Sequence, residues 1–236
     1  TAYEIYQCDW SSDVCSSDLD YSGHISVRAP GRDALYIQAG TDPRSDVTPE
    51  KLLLVDFDGK VLEGAPGKPP VELAIHTEIL RARPDVQAVI HSHLELAFLF
   101  TMMAGVQLMP MRARAVRWQS GIPTHADPSH IKLPEQGQAL AATLGPHQAA
   151  LIRSHGMVLV AESLPALLVD GVHFEENARA QLQVLNAGQK PLALTTTEIE
   201  QIDRHEMREF HVGKLWKYYL QRGRTAGAIP ADWNEE

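Results

Sequence analysis

Three histidines and one glutamate carry most of the chemistry this sequence offers. The stretch "VQAVIHSHLELAF", Val86–Phe98, ends an apolar run with His91 and His93. Residues two apart on a strand project from one face. Both imidazoles can therefore meet a single cation, imidazole being the commonest neutral metal ligand. Taken alone, His-x-His reads equally well as two surface histidines at a strand end. A second apolar run, in "ALIRSHGMVLV", Ala150–Val160, leads to His155, and Gly156 follows for a tight turn. By itself His155 is an ordinary loop histidine. Together the two strand ends are more economically a three-histidine site, because α/β folds collect ligands at strand ends.

Glu72 opens a helical stretch, with His76 one turn later on the same face. Its carboxylate could ligate the metal or act as a base beside it. Alone it reads as an acid favoured by the helix dipole. His125, His130, His147, His173, His205 and His211 show no comparable spacing and read as surface or structural. His24 is the exception, for reasons given below.

These residues need elements to hold them. Strand-like runs lie at His24–Arg28, Ala34–Gln38, Leu52–Phe57, Val86–His91, Ala149–Arg153 and Met157–Ala161. Asp56–Lys60, "DFDGK", reads as a hairpin turn. Helical periods cover Val71–Ala82, Leu94–Met103, Pro134–Leu144, Leu164–Asn186 and Thr197–Leu220. The first starts after Pro69-Pro70 and stops at Arg83-Pro84, as proline chemistry requires. Strands alternating with helices predict a layered α/β domain.

The first nineteen residues stand apart. "TAYEIYQCDWSSDVCSSDL" holds the two cysteines, Cys8 and Cys15, and has no helical or strand period. Back-translated, residues 1–5 and 8–19 read as a common sequencing-index adapter, with Tyr6-Gln7 where the variable index falls. We therefore treat Thr1–Leu19 as a non-native segment and 20–236 as a single domain with a truncated native N-terminus. Without that segment and its four acids, the net charge moves from −9 to −5. The cysteine-free body excludes disulfides, thiolate zinc sites and cysteine nucleophiles. Mild acidity argues against a nucleic-acid partner, which normally finds a basic footprint. No apolar run approaches the roughly 20 residues a membrane span needs. A cytoplasmic protein with no membrane partner is the expectation.

"GHISVR" (23–28), "PPVELAIHTEILRARPDVQAVIHSH" (69–93) and "ALIRSHG" (150–156) resemble the class II aldolase/adducin family, which includes fuculose-phosphate aldolase and ribulose-phosphate 4-epimerase. The resemblance implies a three-layer α/β/α domain with a central mixed sheet. It implies a divalent metal on His91, His93 and His155, usually Zn2+, with Mn2+, Fe2+ or Co2+ as alternatives. Glu72 takes the place of the glutamate that ligates the resting metal or serves as catalytic acid/base. A homotetramer with active sites at subunit interfaces is also implied.

Departures from the sugar-phosphate members point to the substrate. Those enzymes cradle phosphate with a Gly-Asn-x-Ser turn and a Ser-Ser pair before the glutamate. Here the turn is Gly23-His24-Ile25-Ser26, and Pro70-Val71 replaces the pair. Proline has no N–H and neither side chain donates, so a phosphate would lose several charge-assisted bonds. Gly40-Thr41 resembles a further phosphate-loop element. The position of the aldolase tyrosine falls near Met111. Beside it, in "MRARAVRW" (111–118), Arg112 and Arg114 would share one face of an extended segment, where guanidinium suits carboxylate. A solvated basic strand is the plainer reading of that segment.

The sequence thus predicts a metal-dependent carbon–carbon lyase, of aldolase or decarboxylase type, acting on a non-phosphorylated hydroxy, keto or hydroxyaromatic carboxylic acid. Its expected substrate contacts are His24, Ser26, Gly40, Thr41, Arg112 and Arg114. A sugar-phosphate aldolase or epimerase is the first alternative, and a non-catalytic adducin-like module the second. A chain beginning at Asp20 should unfold at no lower a urea concentration than the full chain. A loss of more than about 1 kcal/mol, a substantial share of a marginal stability, would contradict the non-native reading of 1–19.

Overall fold

The computed structural model describes residues 23–42, 47–205, 207–227 and 229. The reading of Thr1–Leu19 lies outside the described residues. Eight strands form one sheet: β1 His24–Arg28, β2 Ala34–Gln38, β3 Leu52–Asp56, β4 Val61–Glu63, β5 Ala88–Ser92, β6 Thr124–His125, β7 Ala149–Ile152 and β8 Gly156–Ala161. Their spatial order is β4-β3-β2-β1-β5-β8-β7-β6. All neighbours are antiparallel except β6 and β7, so the sheet is mixed. Six helices accompany it: α1 Leu73–Ala82, α2 Glu95–Leu99, α3 Pro134–Leu144, α4 Leu164–Asn186, α5 Thr196–Asp203 and α6 Arg208–Thr225.

Strand alternation makes two cores. Leu35, Ile37, Val55, Val89, Val158 and Val160 face Ile75 and Ile79 of α1 and Leu140 and Leu144 of α3. Ile25, Val27, Ala88, Ile90, Met157 and Leu159 face Leu164, Leu167, Leu168 and Phe174 of α4. Helices therefore cover both faces, a three-layer α/β/α sandwich. Among the described residues no helix is long and apolar enough to cross a membrane.

The α1–α3 crossing is unusually close. A Cβ at Gly137 of α3 would lie 2.4 Å from the Ala74 carbonyl oxygen of α1. The backbones touch there, which fixes the helix that begins at Glu72.

Most elements lie within two residues of the sequence reading, and four departures have physical causes. The helix expected over 94–103 stops at Leu99, where the Thr101 hydroxyl turns back on the Phe98 carbonyl oxygen at 2.7 Å. The helix expected over 197–220 is two helices, α5 and α6. After the break, Arg208 pairs with Asp170 of α4 and with Glu162, so tertiary ion pairs override a continuous helical period. The strands β4 and β6, of three and two residues, are too short to show periodicity. The segment with Arg112 and Arg114 is not extended: Ala113–Trp118 forms a 3-10 turn. It buries Ala115, Val116 and Trp118, with Trp118 edge-on to Phe174 of α4, and two arginines spaced by two no longer share a face.

Replacing Gly137 with Ala should destabilise the fold by about 1–3 kcal/mol, the usual cost of overpacking. The sign is informative, because in an open helix the same change stabilises. Urea denaturation showing a stabilised variant would contradict the backbone contact.

Candidate metal centre

The strands bring the histidines together by register. His24 on β1 lies directly opposite His91 on β5, and His91 lies opposite Val158 on β8. His93 follows β5, and His155 sits in the turn between β7 and β8. The ring centroids of His91, His93 and His155 are 5.0, 5.1 and 5.2 Å apart. One nitrogen from each lies within 4.8 Å of the others.

Two features make this cluster a metal cradle. His91 is fully buried, and its Nδ1 is 3.0 Å from the Met157 carbonyl oxygen. A carbonyl only accepts, so Nδ1 carries the hydrogen and Nε2 presents a lone pair. That Nε2 is buried and has no hydrogen-bond partner. Such an orphaned acceptor is costly unless an electrophile meets it. Second, a Cβ at Gly156 would lie 2.6 Å from His93 Cδ2, 2.6 Å from the Ser92 carbonyl oxygen and 3.3 Å from His91 Cε1. Gly156 is glycine because the imidazoles pack on it, rather than for the turn. The turn strain falls on Ser154, whose φ of 52° is the one positive value at a non-glycine among the described residues.

Glu72 caps the N-terminus of α1, and its carboxylate enters the cluster. Oε2 is 3.6 Å from His91 Nε2 and 4.0 Å from His24 Nε2; Oε1 is 3.7 Å from His155 Nε2. The backbone N–H of Ile131 donates to Oε1 at 2.9 Å and fixes its direction. Residues 91, 93 and 155, with Glu72 adjoining, thus fit a divalent cation by donor type, lone-pair direction and packing.

Comparison with known proteins agrees. The family model "Class II Aldolase and Adducin N-terminal domain" matches residues 17–182. The chain belongs to the class II aldolase and adducin family. It is 29% identical over 221 residues to 3,4-dihydroxyphthalate decarboxylase from Rhodococcus jostii strain RHA1, covering 86% of this chain and 87% of that protein. It is 35% identical over 150 residues to the decarboxylase NovR of Streptomyces niveus, covering 61% of this chain and 53% of that one. L-fuculose 1-phosphate aldolase from Glaciozyma antarctica PI12 shares the fold, with a TM-score of 0.73, 21% identity and coverage of 96% and 87%. As a family member, the chain is a metal-dependent carbon–carbon lyase acting on a small molecule.

The remaining expected site residues of this class II aldolase are placed less uniformly. Ser26 shares the His24 face of β1 but lies deeper and is fully buried. Its hydroxyl is 2.6 Å from His76 Nδ1, while His76 Nε2 is 2.6 Å from His24 Nδ1. Ser26 thus supports His24 through His76 and does not face the cluster opening. Gly40 spends its N–H on the Lys68 carbonyl oxygen at 2.8 Å and packs against Pro70 Cα, while Thr41 is exposed. The arginines are directed elsewhere within the protomer. Arg112 pairs with Glu176 at 2.9 Å, and both Arg114 terminal nitrogens lie 3.1 Å from the His211 ring. One residue escaped the sequence reading altogether. His130 lies in the loop before α3, with Nδ1 3.4 Å from Glu72 Oε1 and its ring 5.2 Å from His155. Nothing in the spacing of an aperiodic loop signals that approach.

Burial sets the protonation of this cluster. His76 is pushed down to about 3 by loss of water first and by the neighbouring His91 second. His91 is held well below 6.5 by burial, with His24, His93 and His155 adding to it. Burial also lowers His155, against the opposing pull of Glu72. In the unfolded chain these histidines titrate near 6.5, so below that pH the unfolded state binds more protons. Their contribution is fully present above pH 6.5 and is lost as the pH falls towards 3. The metal-free protein should lose on the order of 2 kcal/mol between pH 6.5 and 5 from His76 alone. Urea denaturation across that window measures it, and H76Q should flatten the slope. A stability independent of pH there would refute the buried neutral state.

Proposed function

We propose that this chain decarboxylates a hydroxylated aromatic carboxylic acid. One observation carries the reading: the groups at the phosphate-turn positions are committed inside the protein. His24 Nδ1 and Ser26 both meet His76, and the Gly40 N–H meets Lys68. Pro70 and Val71 add no donor. A phosphate dianion would thus find no ready set of donors. The similarity to decarboxylases of that substrate class supports the same conclusion.

In the reaction the bond between a ring carbon and the carboxylate breaks and carbon dioxide leaves. The electron pair is delocalised towards a ring oxygen, and a proton replaces the lost group. A divalent cation on His91, His93 and His155, zinc being the commonest partner of three imidazoles, would act as the Lewis acid that stabilises charge on that oxygen. The protein's own groups do the rest. Glu72, oriented by the Ile131 amide, can hold a proton on Oε2 facing the cluster. His24, supported from behind by His76 and Ser26, directs Nε2 to the same space and is assigned the substrate carboxylate. Arg112 and Arg114 are not given that role, because their partners lie on α4 and α6. A homotetramer in the cytoplasm, as the resemblance implies, belongs to this proposal. An adducin-like module without catalysis would have no use for three converging histidines.

Metal analysis and a substrate screen test the assignment. Purified protein should carry about one equivalent of metal, and H91A should lose it while keeping its circular dichroism spectrum. kcat/KM for hydroxyaromatic acids should exceed that for fuculose or ribulose phosphates by about 100-fold, near 3 kcal/mol of transition-state binding. Preference for the phosphates would transfer the site to the aldolase or epimerase reading.

A further inference from the structure

Exposure across the cluster is graded. The side chain of His91 is 0% exposed, that of His155 8% and that of His130 67%. The sheet and α1 close the His91 side, so a small molecule reaches the cluster past His130. The loop carrying this residue is tied down at both ends. Asp127 accepts the Ser129 N–H at 2.9 Å, and the Ile131 N–H is held by Glu72. His130 is thus an exposed side chain on an anchored backbone, fixed beside the catalytic carboxylate.

Its ring has a defined polarity. Nδ1 faces Glu72 Oε1 at 3.4 Å, and a carboxylate oxygen only accepts, so Nδ1 carries the hydrogen. Nε2, on the opposite side of the ring, then offers a lone pair towards the opening. The ring also lies 5.2 Å from that of His155. A ligand one coordination bond beyond His155, roughly 2 Å from the imidazole nitrogen, comes within hydrogen-bond reach of it. An outward acceptor there selects a ligand that brings an O–H.

We propose that His130 is a specificity-determining residue that accepts a hydrogen bond, through Nε2, from the second hydroxyl of a vicinal dihydroxy acid whose first hydroxyl lies at the three-histidine centre. This rests on the function proposed above and narrows it, from hydroxylated acids in general to those with two adjacent hydroxyls. Sites built to receive a hydroxyl reject analogues lacking it, because the receiving group is left unpaired.

The test reads binding, so it does not depend on turnover. The cobalt-loaded full chain is titrated with 2,3-dihydroxybenzoate and with 2-hydroxy-3-methoxybenzoate, following calorimetry and the visible cobalt spectrum. The wild type should bind the dihydroxy acid about tenfold or more tighter, the scale of one well-placed hydrogen bond. H130F, which keeps a ring but no nitrogen, should lose that ratio while retaining its cobalt. H130Q, whose amide oxygen reaches close to the Nε2 position, should recover most of it. Three results overturn the proposal: a wild type that does not discriminate, an H130F that still does, or an H130F that loses its cobalt. If discrimination follows His130 but no acid is decarboxylated, only the decarboxylase reading falls.

Discussion

The Nδ1–H of His91 donating to the Met157 carbonyl oxygen is the contact on which the centre depends. It lies between two central strands, so the β5–β8 pairing that forms the core also sets the histidine tautomer. With the hydrogen committed to the backbone, the lone pair must point into the cluster. Burial removes the competing option, protonation, by raising the cost of an imidazolium. Gly156, on the adjacent strand, then allows His91 and His93 to pack against the backbone. Hydrogen bond, dielectric and steric fit all favour a neutral imidazole waiting for a cation.

The same face of the sheet supports Glu72 from the other side. α1 can place its N-terminal carboxylate among the imidazoles only if its axis is fixed, and the backbone contact at Gly137 fixes it. The Ile131 amide, from the loop entering α3, then selects one carboxylate oxygen. α3 therefore contributes twice, once by touching α1 and once by leading in a loop that holds Glu72. None of these contacts is itself chemical, yet each determines where a chemical atom sits.

Residue type and strand spacing suffice to single out His91, His93, His155 and Glu72, because period-two alternation and an apolar run are local signals. The α/β layering was legible for the same reason. What lay beyond reach depends on contacts between distant segments. His130 approaches Glu72 across 58 positions of sequence through an aperiodic loop. Ser26 looked like a substrate contact by its turn, but the sheet buries it one pair deeper than His24 and gives it to His76. Arg112 and Arg114 looked like a basic face, and the burial of Trp118 wound their segment into a 3-10 turn. In each case an apolar or buried partner far along the chain decided the outcome.

Four histidines and a carboxylate gathered with little water would be a poor way to stabilise a fold. Unpaired buried acceptors and desolvated titratable groups cost free energy, and His91 Nε2 is one such group. A divalent cation reverses that balance, since its binding free energy to preformed neutral donors adds directly to folding stability. The strain at Ser154, in the turn that delivers His155, belongs to the same account. It is tolerable because Thr101 Oγ1 accepts the Ser154 N–H at 2.9 Å and its backbone carbonyl takes the Arg153 guanidinium. Thr101 itself lies just beyond the short helix that follows His93. The segment leaving the second ligand therefore returns to hold the turn that bears the third, and the two ligands cannot move apart independently.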